Sequence, residues 1–194
     1  MLMNKIFFVN AGRSEKASPV FNITPDKKRR FDSSLIISVK KCGFNHVQVI
    51  TCRPLSKKLR PFPTTFWLMC PYLIKLAGTV ESQGGVNELE EFLRTKKLFH
   101  EWHEYNFLHQ ILRLKLINKN QSNFMRRYNG KIFKSLIRGG VGGIRYDSEN
   151  INVKCLHLQT ASFLALGFHP GSAWLNSKGL CGGCKKNLCS KRTV

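Results

Sequence analysis

Cys42, Cys70, Cys155 and His157 carry the side chains of this 194-residue chain whose types and settings point to shared chemistry. Cys42 lies in Lys-Cys-Gly-Phe-Asn, Cys70 in Phe-Trp-Leu-Met-Cys-Pro, and Cys155 with His157 in Lys-Cys-Leu-His. Three thiols and an imidazole match the donor set of a tetrahedral zinc ion or of an iron–sulfur centre. Zinc is the expected cofactor, since a single structural ion needs no assembly machinery; the iron–sulfur cluster is the alternative. The same residues allow a rival chemistry. Cys70 followed by Pro71 reads as a helix start, where the helix dipole favours a thiolate. With His157 as base, Cys70 would then be a nucleophile acting on an acyl or phosphate-bearing substrate.

Other groups compete for attention. Cys52, before Arg-Pro, is an alternative ligand to Cys42, whose turn is richer in residues that free the backbone. The tail holds Cys181-Gly-Gly-Cys184 and then Cys189, a knuckle spacing that makes these three secondary metal candidates, with His169 as the nearest imidazole. Arg138-Gly139-Gly140-Val141-Gly142-Gly143 matches no nucleotide-binding fingerprint, but successive backbone N–H groups in such a loop can cradle an anion. His100-Glu101-Trp102-His103 has its histidines three apart, where a zinc protease needs four, and reads as helix packing and surface.

The elements that must position these residues follow from pattern. Residues 35–39 and 47–51 are β-rich and flank a turn holding Cys42, Gly43 and Asn45. A loop with Pro54, Pro61 and Pro63 leads to a strand over 64–69 and a helix over 72–82. Apolar residues recur at three- and four-residue steps over 86–117, long enough for two helices. Residues 118–123 read as a loop and 124–137 as a basic helix. A short strand is expected over 151–154, then helices over 157–166 and 172–177. The expected fold is α+β: a small sheet, hairpin plus one strand, packed by several helices in one domain. Residues 1–33 read as a basic leader, 34–177 as the core domain, and 178–194 as a Cys-containing basic tail.

The totals set the class. The chain carries 32 Lys+Arg against 11 Asp+Glu, a formal charge of +21. Such an excess draws RNA or another polyanion. Seven cysteines without an export signal argue against a disulfide framework and for metal ligation, reactive thiols or inert burial. No run approaches the ~20 apolar residues of a membrane span. A cytoplasmic protein is expected, although the acid-poor leader is also compatible with an organellar presequence.

Three blocks of the chain resemble a largely uncharacterised bacterial family, domain-of-unknown-function family 501. Lys41-Cys42-x-x-Asn45-x-Val47-x-Val49-Ile50 is similar to the family's basic-Cys-x-x-Gly-x-Pro hairpin, with Asn45 in place of its Gly and Val47 in place of its Pro. Pro61 through Pro71, PFPTTFWLMCP, is close to its most specific motif. Val153-Lys154-Cys155-Leu156-His157 matches its Cys-Leu-His block, and Glu81 before Gly84 and Gly142-Gly143-Ile144 fit weaker stretches between. The likeness spans roughly residues 34–175. It singles out Cys42, Cys70, Cys155 and His157, leaves Cys52 and the tail cysteines unmatched, and implies no activity.

Overall fold

In the chain's computed structural model, the described residues are 33–56, 58–146 and 150–182. The leader up to residue 32 and two of the tail thiols, Cys184 and Cys189, lie outside them. Strands β1 (Ile36–Lys41), β2 (Val47–Cys52) and β3 (Phe66–Leu68) form an antiparallel sheet in the order β1-β2-β3. The β1–β2 turn closes through Cys42 N–H to His46 O and Asn45 N–H to Cys42 O, with Asn45 at φ 63°, in the left-handed region that Asn tolerates. In the third strand Phe66, Trp67 and Leu68 pair with β2, and the bonds from Cys52 N–H to Thr65 O (2.7 Å) and from Met69 N–H to Gln48 O (2.8 Å) extend the pairing by one residue at each end, close to the expected span.

Helices then follow: α1 (Pro71–Ser82), α2 (Gly85–Thr95), α3 (Phe99–Leu116), α4 (Lys119–Tyr128), α5 (Gly130–Arg138), α6 (Leu156–Leu166) and α7 (Ser172–Ser177). With the three strands they make an α+β fold. Pro71 opens α1, where its missing N–H leaves no helical bond unmade. The long periodic run divides between α2 and α3, where Lys97 takes φ 54°. Residues 118–123, expected as a loop, instead start α4: the Asn118 side chain accepts the Asn120 N–H and caps the helix. The expected basic helix over 124–137 is two helices meeting at Asn129.

Residues 151–154 do not form the expected strand. Their backbone groups bond to side chains of α2: Val153 N–H donates to Glu90 (2.7 Å) and Arg94 donates to Ile151 O (3.3 Å). Side chains satisfy the backbone there, so no neighbouring strand is needed.

α6 is the central element. It packs on β2 and β3 through Ala161 and Leu164, which join Val49, Phe66, Leu68, Cys70 and Leu73 in one buried cluster. A second cluster fills the space between α1, α2, α3, α6 and α7, with Leu89, Leu93, Trp102, Leu156 and Leu175 all but inaccessible. Burying each such side chain contributes about 1.5–3 kcal/mol. A third cluster, Leu55, Ile117, Met125, Phe133 and Leu136, seats α4 and α5. α1 and α6 run antiparallel, because Glu81 at the end of α1 meets the start of α6 while Cys70 and Leu73 at its beginning meet Ala161 and Leu164. That pairing sets the candidate site.

Candidate metal centre

Cys155 is the N-cap residue of α6, in extended conformation (φ −164°, ψ 155°), and its side chain does not cap the helix. The capping acceptor comes from elsewhere. The Glu81 carboxylate accepts the N–H of Leu156 and that of His157 (3.3 Å), the first two donors of α6. An acid in the last turn of α1 faces that helix's own negative end, a cost of about 0.3–1 kcal/mol. Its hydrogen bonds to the first N–H groups of α6 contribute about 1.5–3 kcal/mol each and prevail.

The same carboxylate oxygen lies 3.0 Å from His157 Nδ1. On the other side of the ring, Nε2 lies 3.1 Å from the Ile74 carbonyl. Both neighbours are acceptors, so both ring nitrogens donate. The hydrogen bond with Cys155 and the Glu81 carboxylate push the His157 pKa up to about 9 against partial burial. One ligand atom each from Glu81, Cys155 and His157 lie within 4.8 Å of one another, and all three residues are half-buried.

Two of the four residues singled out by the sequence come together. Cys155 and His157 meet at the N-terminus of α6, with Glu81 as their third partner. Cys70 caps the far end of α1, buried at 4% exposure, eleven residues and ~16 Å along the helix from Glu81. Its carbonyl accepts the Ile74 N–H, so one helical turn separates it from the carbonyl that holds His157. Cys42, half-buried, lies beyond the Lys41–Val47 pair at the same end of the sheet as Cys70. Neither Cys42 nor Cys70 belongs to the Glu81–Cys155–His157 cluster.

The remaining candidates have other partners. Cys52 is fully buried, and burial pushes its thiol up to about 12, leaving it protonated. Cys181 is also pushed up to about 12 by burial, and its thiol points toward Ser172 O at 3.9 Å. His169, the imidazole nearest the tail, is fully engaged: Nδ1 accepts the Gly171 N–H (2.9 Å) and Nε2 donates to Gln159 Oε1 (2.9 Å). In the glycine loop, the N–H groups of Gly140, Val141, Gly143 and Ile144 donate to Ile144 O, Asn106 Oδ1, Gly140 O and Val141 O. The loop's carbonyls meet cations instead: Gly140 O accepts from Arg113 (2.6 Å) and Gly142 O from Lys154 (3.4 Å). This polarity is opposite to that of an anion cradle built on Gly139–Gly143, and Arg138 is an exposed residue at the end of α5.

Residues 38–177 match the family described as "Protein of unknown function (DUF501)". The chain belongs to this family. The match covers the sheet from Ser38 on, every helix from α1 to α7 and all three members of the cluster. No curated protein matches the chain. No solved structure matches it either. DUF501 membership thus fixes kinship without supplying a reaction, and the chemistry must be argued from the cluster itself. Among the described residues, no helix is long and apolar enough to cross a membrane.

Proposed function

We propose that the protein binds one divalent transition-metal ion, zinc foremost, through Glu81, Cys155 and His157. The observation that carries this reading is the orientation of the His157 ring. Its Nε2–H is held by the Ile74 carbonyl, which is how protein frameworks usually fix a ligating histidine from the side away from the metal. That leaves Nδ1 facing the carboxylate and the thiol, and an ion there takes the place of the Nδ1 and thiol protons. A mixed O, N and S set suits zinc, whereas iron–sulfur clusters are held mainly by cysteine. Three protein ligands leave a fourth position for water or substrate, the arrangement of catalytic zinc sites.

A second reading rests on the nearness of the Cys155 thiol to the His157 ring. A cysteine paired with a histidine that a carboxylate orients is also the constellation of a thiol nucleophile. It relocates the nucleophile from Cys70 to Cys155. Its weakness is that both nitrogens of the ring are already engaged, by Glu81 and Ile74.

The deciding measurement is elemental analysis of the purified full chain, with Cys155→Ser and His157→Ala beside it. The expected result is near one equivalent of metal in the wild type, lost in both variants, and a melting temperature that falls on chelation. Metal-free protein whose melt ignores added zinc would overturn the metal reading. Rapid alkylation of Cys155 in that metal-free protein would favour the nucleophile.

A further inference from the structure

Between Glu104 and Asp147 the chain has no acidic residue and nine basic ones. Arg113 turns inward; the rest face outward, most of them on α4 and α5. Lys131, Lys134 and Arg138 repeat at i, i+3 and i+7, one stripe on the outer side of α5. Lys119, Arg126 and Arg127 add charge on the neighbouring α4.

Set among these cations are exposed rings. Phe124 is 44% exposed and Tyr128 62%, one turn apart on α4, with ring centroids 4.7 Å apart. The Arg127 guanidinium lies 5.5 Å from the Tyr128 ring centre. These rings are not core residues left unpacked: the inner sides of both helices are already seated by Met125, Phe133 and Leu136. With Ile132, 42% exposed on α5, the rings are too few and too interspersed with cations to form the broad apolar face that lies in a lipid surface. What the outer side offers is cations for phosphates and open aromatic faces for unpaired bases, the two elements of single-strand recognition. A duplex, with its bases already stacked, would use only the first.

We propose that the outer face of α4 and α5 binds single-stranded nucleic acid, with phosphates against Arg127, Lys131, Lys134 and Arg138, and bases stacked on Phe124 and Tyr128. This surface is independent of the metal reading and stands if that reading fails.

The test is fluorescence anisotropy of the full chain with labelled oligouridine and with oligodeoxythymidine of equal length, at several salt concentrations. Both strands should bind, and a preference between them tells RNA from DNA. The variant Phe124→Ala/Tyr128→Ala should weaken binding about thirtyfold or more while leaving the salt slope unchanged. The variant Lys131→Gln/Lys134→Gln/Arg138→Gln should flatten the log–log salt slope by about 0.7 for each phosphate no longer neutralised. All five positions are exposed, so circular dichroism melts should match the wild type. Lys96→Gln/Lys97→Gln, which removes charge from the α2–α3 turn, should bind nearly as the wild type does. Face variants that bind like the wild type would overturn the proposal. So would a turn variant that loses as much, because the attraction would then be diffuse. Capture by phosphatidylserine-containing vesicles without binding of either single strand would likewise overturn it.

Discussion

Glu81 shows how one side chain can hold two helices and a candidate site together. Its carboxylate caps α6 at Leu156 and His157 and orients the His157 ring from 76 positions earlier in the chain. Removing it should therefore cost stability even without metal. In protein dialysed against a chelator, Glu81→Ala should lower the unfolding free energy by about 2–4 kcal/mol, while Glu81→Gln, which keeps an acceptor oxygen, should lose less than half of that. Urea unfolding measures both, and equal losses would refute the capping role. Cys155 and His157 were legible in the sequence because a thiol and an imidazole two residues apart form a local pattern. Glu81 was legible only as part of a weak resemblance. Its one physical signal is an acid in the last turn of a helix, the electrostatically wrong end, which calls for a partner elsewhere. Cys70, equally chemical in the sequence, is a buried residue of the cluster between the sheet and α6 and stands outside the Glu81–Cys155–His157 group.

At the level of elements, the glycine loop after α5 exists for close approach. A Cβ on Gly140 would stand 2.0 Å from Asn106 Oδ1, the atom that accepts the Val141 N–H at 3.0 Å. Arg113, fully buried, bonds at the same place to Gly140 O and, across the gap, to Leu136 O (3.0 Å) and Pro63 O (3.3 Å). α3, α5 and the proline loop thus meet on one guanidinium, and the loop must let the backbone reach it. Gly140→Ala should cost about 2–4 kcal/mol by urea unfolding, through overpacking and the breaking of a buried hydrogen bond. Gly130→Ala, where a Cβ meets nothing within 4 Å, should stay within about 0.5 kcal/mol of the wild type or gain slightly. Similar costs at the two positions would show that space at Gly140 is not the constraint. The hairpin, α1, α6 and α7 were readable from turn residues, Pro71 and Gly167, because those signals are local. That the 86–117 run could hold two helices was readable too; the place of the break, at Lys97, was not, since a lysine at positive φ is held there by its surroundings rather than by its own preference.

Across the whole molecule, the seam between α3 and α6 is unusually polar for a core. Tyr105 and His109 on α3 both bond to the Ser162 hydroxyl on α6, His109 Nε2 at 2.6 Å, while Gln159 on α6 holds His169. No pattern in the sequence announced this, because each residue taken alone reads as an ordinary helix position. Both imidazoles are fully enclosed, and burial pushes each down to about 3; Arg113 and His169 add to the effect on His109. Tyr105 and Phe66 flank the His109 ring, Trp102 and Tyr105 that of His169. No acidic neighbour contributes to either shift. Both histidines are thus neutral in the folded protein, whereas in the unfolded chain they take up protons near the ordinary value of about 6.5. A histidine with a lowered folded pKa gives stability that is complete above about pH 6.5 and is lost as pH falls toward 3. Each group changes the unfolding free energy by up to ~1.4 kcal/mol per pH unit within that window. Between about pH 6 and pH 5, before carboxylates titrate, urea unfolding should therefore lose ~2–3 kcal/mol in the wild type. His169→Gln should roughly halve that slope whatever it does to stability at neutral pH, because a neutral side chain in the same seam has no proton to gain on unfolding. An unchanged slope would mean that the seam opens to water well before the rest of the core.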